Sequence, residues 1–421
     1  MINIPTLLDN KLVRAIILHI AIIILAYKIL GSFSIFVLPK ESNLKVWDAF
    51  WYESIRDYGY LLIPNQQCNL AFFPLFPYLW RILNVSSRGI SLINFIFFFL
   101  AFYHLFKWKN LPFHLTLILL SIPSLVFMAL PYSECIFFVF GTCLLLGYQG
   151  SGSKLFILGV IGCSLTRSVS IIFIPAFLLT FFLLGEYNTR KIKTLIYALI
   201  ASAVSVGAVV FLQWIQTGEL FYFMKVQKYW RRHFEWPSLP FSASSGDQIA
   251  GIDGISLFLG LISIMFLIKL FFERAINRHK NKSVYQINSA VIFSLLYVSA
   301  TLAVNTFFSF NIGDGTVLMS LNRHMLATPF ALYLIYWFLA EYKLSHRDLF
   351  VVGICFLLCL VSTRIYYFQL QLLYLILAVL LFISYKYPSV LGSRLVFLFY
   401  TLQCIIQITC FNLILQGYWI A

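Results

Sequence analysis

"VRAIILHIAIIILAYKILGSFSIFV" (residues 13–37) decides the fold. It opens a series of apolar runs of roughly 17–25 residues, the length at which a helix crosses the hydrocarbon core of a bilayer. The run stands where a secretion signal would, but it is long and lacks a small-residue cleavage site. It therefore reads as a retained first span. Mean hydropathy of +0.89 over 421 residues, with only 11% charged side chains, extends that reading to the whole chain. The runs show no polar/apolar alternation, and only helices or closed barrels satisfy their backbone in lipid. The expected fold class is an all-α polytopic membrane protein.

Spans are predicted at 13–37, 89–106, 111–130, 134–149, 155–167, 168–185, 194–214, 253–272, 286–306, 325–341, 348–362, 366–384 and 395–413, about 13 in all. The pair 155–167 and 168–185 is short and reads as a broken, partly re-entrant hairpin. The chain forms one integral-membrane domain, 1–421. Its longer polar segments are a first external loop at 38–88 and further external loops at 215–252 and 307–324.

Net charge is +15, but the cations are scattered through short loops. That pattern reads as a topology signal and as attraction to anionic membrane lipids, with no nucleic acid as partner. With the N-terminus on the cytoplasmic side, that side carries sixteen Lys or Arg against five acids; the opposite side carries twelve against ten. The bias places the long aromatic loops on the non-cytoplasmic face. The cytoplasmic loops leave no room for a nucleotide-binding domain, and no GxxxxGK[ST] or dinucleotide fingerprint occurs. Chemistry on the far face suits a lipid-linked donor. The eight cysteines lie mostly within apolar runs and read as small core residues. Neither a DxD nor an HExxH pattern occurs, so no metal and no cofactor is expected.

"KVWDAFWYESIRDYGY" (45–60) breaks the apolar series. At 100° per residue Trp47, Phe50, Trp51, Ile55 and Tyr58 share one arc, and Glu53, Arg56 and Asp57 the other. This predicts an interfacial amphipathic helix with its aromatic face toward lipid. Asp48 falls at the border of the apolar arc beside Tyr52, where it can face a cavity; Glu53 and Asp57 lie away from it. In "NLAFFPLFPYLWRIL" (69–83) Pro74 and Pro77 prevent a regular helix throughout, with a short aromatic helix resuming after them.

"WDAFWYESIRDYGY" followed by "AFFPLFP" resembles the signature of the PIG-V type mannosyltransferases, which include GPI mannosyltransferase 2 and prokaryotic relatives. The resemblance continues in order through "PSLVFMALPYSE" (123–134), "SLTRSVSIIFIP" (164–175), "TGELFYFMKVQKYWRRHFEWP" (217–237) and "SLNRHMLATPF" (320–330). It implies a GT-C fold. It also implies transfer of mannose from a polyprenyl- or dolichyl-phosphate mannose to a hydroxyl of a glycolipid or glycan, with Trp47 and Asp48 as the essential pair. A phosphate is a good leaving group, so one carboxylate acting as base on the acceptor hydroxyl is sufficient, and Asp48 is the expected base. Arg167 has two readings, the donor phosphate or a bridge to Glu134 and headgroups. Arg323 has the same two, and His324 reads as a packing residue. In "PYSE", Tyr132 and Glu134 are expected to touch substrate or, for Glu134, to sit at a helix start that Ser133 caps. In "QKYWRRH", Gln227, Trp230, Arg231 and Arg232 are expected to grip a phosphate or lipid headgroups. Alternatives from other classes are a transporter or flippase of lipid-linked saccharides and a GT-C enzyme for another lipid-linked sugar. The expected location is the bacterial cytoplasmic membrane with the site outside, or the ER membrane with a lumenal site. The short external loops and the missing ER retrieval signal depart from the eukaryotic pattern, which leaves the acceptor open.

Overall fold

The computed structural model describes residues 10–109, 111–185, 188–243, 252–280, 287–309, 311–312, 315–343, 345–363, 365–387 and 390–420. Asp9, Glu186, Asp247, Lys282, Asp314 and Arg364 of the charge tally lie outside them, as do parts of the loops 215–252 and 307–324.

In chain order the helices are α1 (Lys11–Ser32), α2 (Glu41–Leu44), α3 (Asp48–Tyr58), α4 (Leu75–Leu83), α5 (Ser87–Phe106) and α6 (Phe113–Leu120). Next come α7 (Glu134–Leu146), α8 (Ser153–Thr166), α9 (Ser170–Leu184), α10 (Thr189–Thr217), α11 (Tyr222–Lys225) and α12 (Ile252–Lys280). The last are α13 (Ser289–Phe307), α14 (Leu321–Leu326), α15 (Pro329–Tyr336), α16 (His346–Ser362), α17 (Ile365–Lys386) and α18 (Val390–Leu415). Among the described residues seven helices are long and apolar enough to cross a membrane by length and composition, and the chain is an integral multi-pass membrane protein. α13 is buried on nearly every side and packs against α9, α12 and α15.

Two expected spans are interrupted. The run 111–130 is helical only to Leu120; Pro123 then starts a 3-10 turn (Pro123–Ala129). The ring of Pro123 removes a donor and holds Ile122 in an extended conformation (ψ 120°), which ends the α-helix. The run 325–341 breaks at Ala327–Thr328, where Thr328 accepts from the Ala331 N–H and opens α15 with Pro329 at its first position. Pro77, expected to bar a helix, lies within the first turn of α4, where its missing N–H has no helical partner to lose.

α7 and α8 pack closely as an antiparallel pair. A Cβ on Gly159 would come 2.4 Å from the Leu144 nitrogen, and one on Gly162 would come 2.0 Å from the Phe140 ring. Only glycine permits this approach, and it brings the start of α7 beside the end of α8. The chain turns at Arg167 between α8 and α9, but the two do not pack together as the expected hairpin; each packs against α10 instead.

The loops at that end carry five short strands. β1 (His233–Phe234) pairs antiparallel with β3 (Phe308–Ser309); β2 (Ser242–Ala243) runs parallel to β5 (Gly315–Leu318); β4 (Asn311–Ile312) is antiparallel to β5. They staple the second long loop to the third. The first loop is fixed differently. Gln213 on α10 donates to the Leu70 carbonyl (3.0 Å), and Gln216 accepts from the Tyr60 N–H (2.7 Å).

Candidate active site

The buried face of α3 is Ala49, Tyr52 and Ile55, one residue per turn. This corrects the expected orientation. Ile55 is fully buried, and Trp51 stacks on Phe72 (centroids 6.3 Å, 15°) and meets Trp230 edge-on at 5.5 Å. Trp47, Phe50 and Tyr58 remain exposed. Packing against 69–83 and 226–230 is available to the aromatic arc, and half of it turns inward. The opposite face is self-contained: Glu53 pairs with Lys45 (2.6 Å) and Arg56 (3.0 Å), and Arg56 also holds Asp57 (2.6 Å).

Asp48 is the first residue of α3, where the helix end favours a carboxylate. Trp47 precedes it at φ 55°, ψ −123°, a conformation that only glycine adopts freely. Ser320 (φ 60°) and Arg231 (φ 57°) are also left-handed, and all three line one cavity. Such backbone costs of order 1–3 kcal/mol per residue and concentrates where a site demands a particular side-chain direction.

The cavity holds about 560 Å³. Trp47, Trp51, Trp230 and Trp419 contribute aromatic wall; Arg167, Arg231, Arg232 and Arg323 contribute the charge; Asp48 is the acid among its described lining residues. Gln227 is there too, its side-chain N–H donating to the Phe223 carbonyl (3.1 Å).

Arg323 organises the floor. Its NH1 lies 2.7 Å from Asp48 Oδ2, and its Nε donates to Glu134 Oε1. Its guanidinium stands over the rings of Tyr132 (4.7 Å) and Phe127 (5.2 Å), a placement that adds attraction by the ring faces. The same Glu134 Oε1 accepts from Arg167 NH1 at 3.2 Å. Glu134 Oε2 has no hydrogen-bond partner among the described residues. Glu134 itself is wholly inaccessible and begins α7. The second reading of Arg167, the bridge to Glu134, is therefore the observed one.

Glu134 and Tyr132, expected at the substrate, do not line the cavity. They lie behind Arg323 and contact it. Tyr132 donates to the Val46 carbonyl at 3.2 Å. Ser133 does not cap α7; its Oγ accepts the Tyr52 hydroxyl at 2.7 Å and so ties α3 to α7. Those two links, together with the Asp48–Arg323 pair, hold the first loop against the bundle.

Arg232 is partly buried and makes no ion pair among the described residues. Burial lowers its pKa to about 10; Asp48 opposes that shift, and Arg167 and Arg323 add to it. At neutral pH it stays charged, in a place where an added anion is favoured. Among the described residues at the cavity arginines outnumber acids: four guanidiniums line it with Asp48, and Glu134 is buried behind.

Trp419 was not foreseen. It follows α18, where Gly417 (φ 87°) turns the chain back, and the Ile420 carbonyl accepts from Asn322 (3.4 Å). Its ring meets Trp47 edge-on at 5.2 Å and lies 5.9 Å from the Arg323 guanidinium. A glycine and two aromatics after the last apolar run were the sequence signal available. His324 also lines the cavity, its ring nitrogen 3.4 Å from Asn305 Oδ1. Among the described residues no group of three His, Cys, Asp or Glu side chains could hold a metal ion.

No protein-family model matches the chain, and no curated protein matches it. The PIG-V type membership implied by the motifs thus rests on those motifs. The chain is similar to the crystal structure of ArnT from Cupriavidus metallidurans bound to undecaprenyl phosphate, at 11% identity and a TM-score of 0.45. That likeness covers 96% of this chain and 76% of the other. A likeness of this degree assigns neither activity nor substrate, and the site stands on its own geometry.

Proposed function

We propose that the chain is a GT-C fold glycosyltransferase that moves mannose from a polyprenyl- or dolichyl-phosphate mannose to a hydroxyl of a lipid-linked or surface glycan. The observation that carries this reading is Asp48 facing a cavity walled by four arginines and four tryptophans. The positive-inside bias of the loops supports a non-cytoplasmic site.

The reaction forms a bond between the acceptor oxygen and the anomeric carbon as the bond from that carbon to the phosphate oxygen breaks. The acceptor proton passes to the Asp48 carboxylate, and the lipid phosphate leaves with the bonding pair. Direct attack inverts the anomeric centre. The phosphate enters as a monoanionic diester and leaves as a monoester that carries up to two charges. Arginines that outnumber the acids at the cavity match the leaving group better than the substrate, so they lower the barrier and do not merely tighten binding. Tryptophan faces suit the C–H faces of a hexose.

Asp48 is engaged by Arg323. A donor phosphate competes for that guanidinium and frees the carboxylate, so the base is exposed only once the donor is seated. The test is transfer of radiolabelled mannose from polyprenyl-phosphate mannose by purified protein in lipid nanodiscs. Asp48→Asn is expected to abolish product while membrane insertion is kept. Product formation at the wild-type rate by Asp48→Asn refutes the assignment of the base. Movement of lipid-linked sugar across the bilayer with no new glycosidic product decides for a flippase.

A further inference from the structure

α14 starts beside the cavity without a side-chain cap of its own. Ser320 precedes it at φ 60° and makes no capping hydrogen bond, and Leu321 and Asn322 open its first turn. N–H groups at a helix start need an acceptor where no water reaches them. Asn322 is buried, and its N–H donates to Asp253 Oδ1 at 3.1 Å. Asp253 stands in the first turn of α12, which packs against α14, and is itself buried. It does not line the cavity.

A neutral acceptor would satisfy that N–H at lower cost. A carboxylate taken out of water is expensive, and Asp253 Oδ2 has no hydrogen-bond partner among the described residues. The carboxylate adds a second bond at the same oxygen: Asp253 Oδ1 also accepts from Asn322 Nδ2 at 2.9 Å. A carboxamide has a donor end and an acceptor end, so an acceptor that faces one end fixes the direction of the other. The Asn322 oxygen is thereby turned to the Ser124 hydroxyl (3.4 Å), and Nδ2 also donates to the Ile420 carbonyl (3.4 Å). Asn322 precedes Arg323 in α14, and Ile420 follows Trp419. One buried side chain thus joins α12, the 3-10 turn at Pro123–Ala129, the start of α14 and the segment after α18. Trp419, on that segment, meets Trp47 at 5.2 Å and lies 5.9 Å from the Arg323 guanidinium.

We propose that Asp253 is a positioning residue of the transferase site: through Asn322 it holds the segment after α18 so that Trp419 forms cavity wall beside Trp47 and Arg323. The proposal rests on the transferase reading for what Trp419 meets, a sugar face, and on the hydrogen bonds for how Trp419 is held.

The experiment uses the full chain in lipid nanodiscs with two readouts. One is transfer from polyprenyl-phosphate mannose. The other is fluorine NMR of fluorotryptophan-labelled protein, with the Trp419 resonance assigned by its loss in Trp419→Phe. Asp253→Ala is expected to shift or broaden that resonance and to lower kcat about tenfold or more, as displacement of a positioning group does. Asp253→Asn keeps an acceptor oxygen; it should restore the resonance and bring kcat within about twofold of wild type. Asn322→Ala cuts the same link from its other side, should match Asp253→Ala, and serves if that variant fails to fold. The Asp253→Ala/Trp419→Ala protein should be no slower than Trp419→Ala alone; two losses that multiply would overturn the proposal. An unmoved Trp419 resonance in Asp253→Ala and Asn322→Ala would overturn it too, as would Asp253→Asn protein as impaired as Asp253→Ala. Wild-type transfer with unchanged kcat in Asp253→Ala overturns this proposal and leaves the transferase reading standing. Wild-type protein without transfer overturns the transferase reading instead, and the resonance alone then decides whether Asp253 holds Trp419.

Discussion

Glu134→Gln changes one atom's chemistry at a site no solvent reaches, and its effect follows from the ion pairs around it. Glu134 holds Arg323 and Arg167 through one oxygen, with Arg167 NH1 at 3.2 Å. At an effective dielectric of about 20, one such pair gains roughly 5 kcal/mol before the cost of desolvation. Breaking a buried pair from one side is typically worth about 3–5 kcal/mol, because the remaining charge stays buried. Arg323 keeps Asp48 as a partner and Arg167 reaches some solvent, so a loss near 3 kcal/mol is expected. In detergent this should lower the midpoint of thermal unfolding by roughly 5 °C. The double variant Glu134→Gln/Arg167→Met removes one unpaired charge and should recover part of that loss. Activity should fall further than stability, because Arg323, freed on one side, no longer presents its NH1 to the cavity in a fixed direction. The assays are differential scanning fluorimetry and initial transfer rates on the same preparations. A Glu134→Gln protein with unchanged midpoint and unchanged rate would refute the view that Glu134 holds the arginines. A double variant less stable than the single one would refute the charge argument specifically.

Other outcomes follow from single contacts. Trp47→Gly releases a backbone that costs of order 1–3 kcal/mol and loses the edge contact with Trp419. Its thermal midpoint should stay within a few degrees of wild type while transfer drops about tenfold or more; parallel losses would count against a functional role for the strain. Arg232→Gln should raise the donor KM roughly tenfold with little change in stability, since a charge-assisted contact is worth about 1.5–3 kcal/mol; an unchanged KM would remove Arg232 from the phosphate site. Gly159→Ala places a methyl 2.4 Å from the Leu144 nitrogen and should separate α7 from α8. Its signature is a weaker, lower-temperature unfolding transition together with lost activity, and a fully active protein would contradict the packing.

The helices were legible because length and hydropathy report directly on what lipid demands of a backbone. The interruptions at Pro123 and at Ala327–Thr328 were hidden in runs whose composition is uniformly apolar. Hydropathy averages over a break that one ring and one hydroxyl produce. The helical wheel of α3 separated its faces correctly but could not say which surface each would meet. Partners at 69–83 and 226–230 turned Trp51 inward, and only distant residues could supply that information. Asp48, Arg167, Arg231, Arg232 and Arg323 were found from charge placed in apolar or aromatic surroundings, and the structure gathers them on one cavity. Glu134 carried the same signal and lies behind the cavity. A buried charge marks a costly position, yet it does not say whether the partner is a substrate or another side chain. Trp419 had no such mark, because an aromatic after a helix is common.

On the proposed transferase function, the arrangement around Arg323 bears on how a water-accessible site would hold an activated sugar without wasting it. A free carboxylate beside the donor would accept a proton from water as readily as from an acceptor hydroxyl. Arg323 lies between two carboxylates of unlike standing: Glu134, sealed and unable to move away, and Asp48, at the cavity wall with 18% of its side chain accessible. A phosphate that draws on this guanidinium takes it from the partner less firmly enclosed, which is Asp48. Glu134 then keeps Arg323 anchored while its other side changes hands. Replacing Glu134 by glutamine would leave Arg323 with a single strong partner and make its release from Asp48 more costly. On the proposed mechanism the buried carboxylate therefore helps to release Asp48 as well as to hold the arginine, although it does not line the cavity.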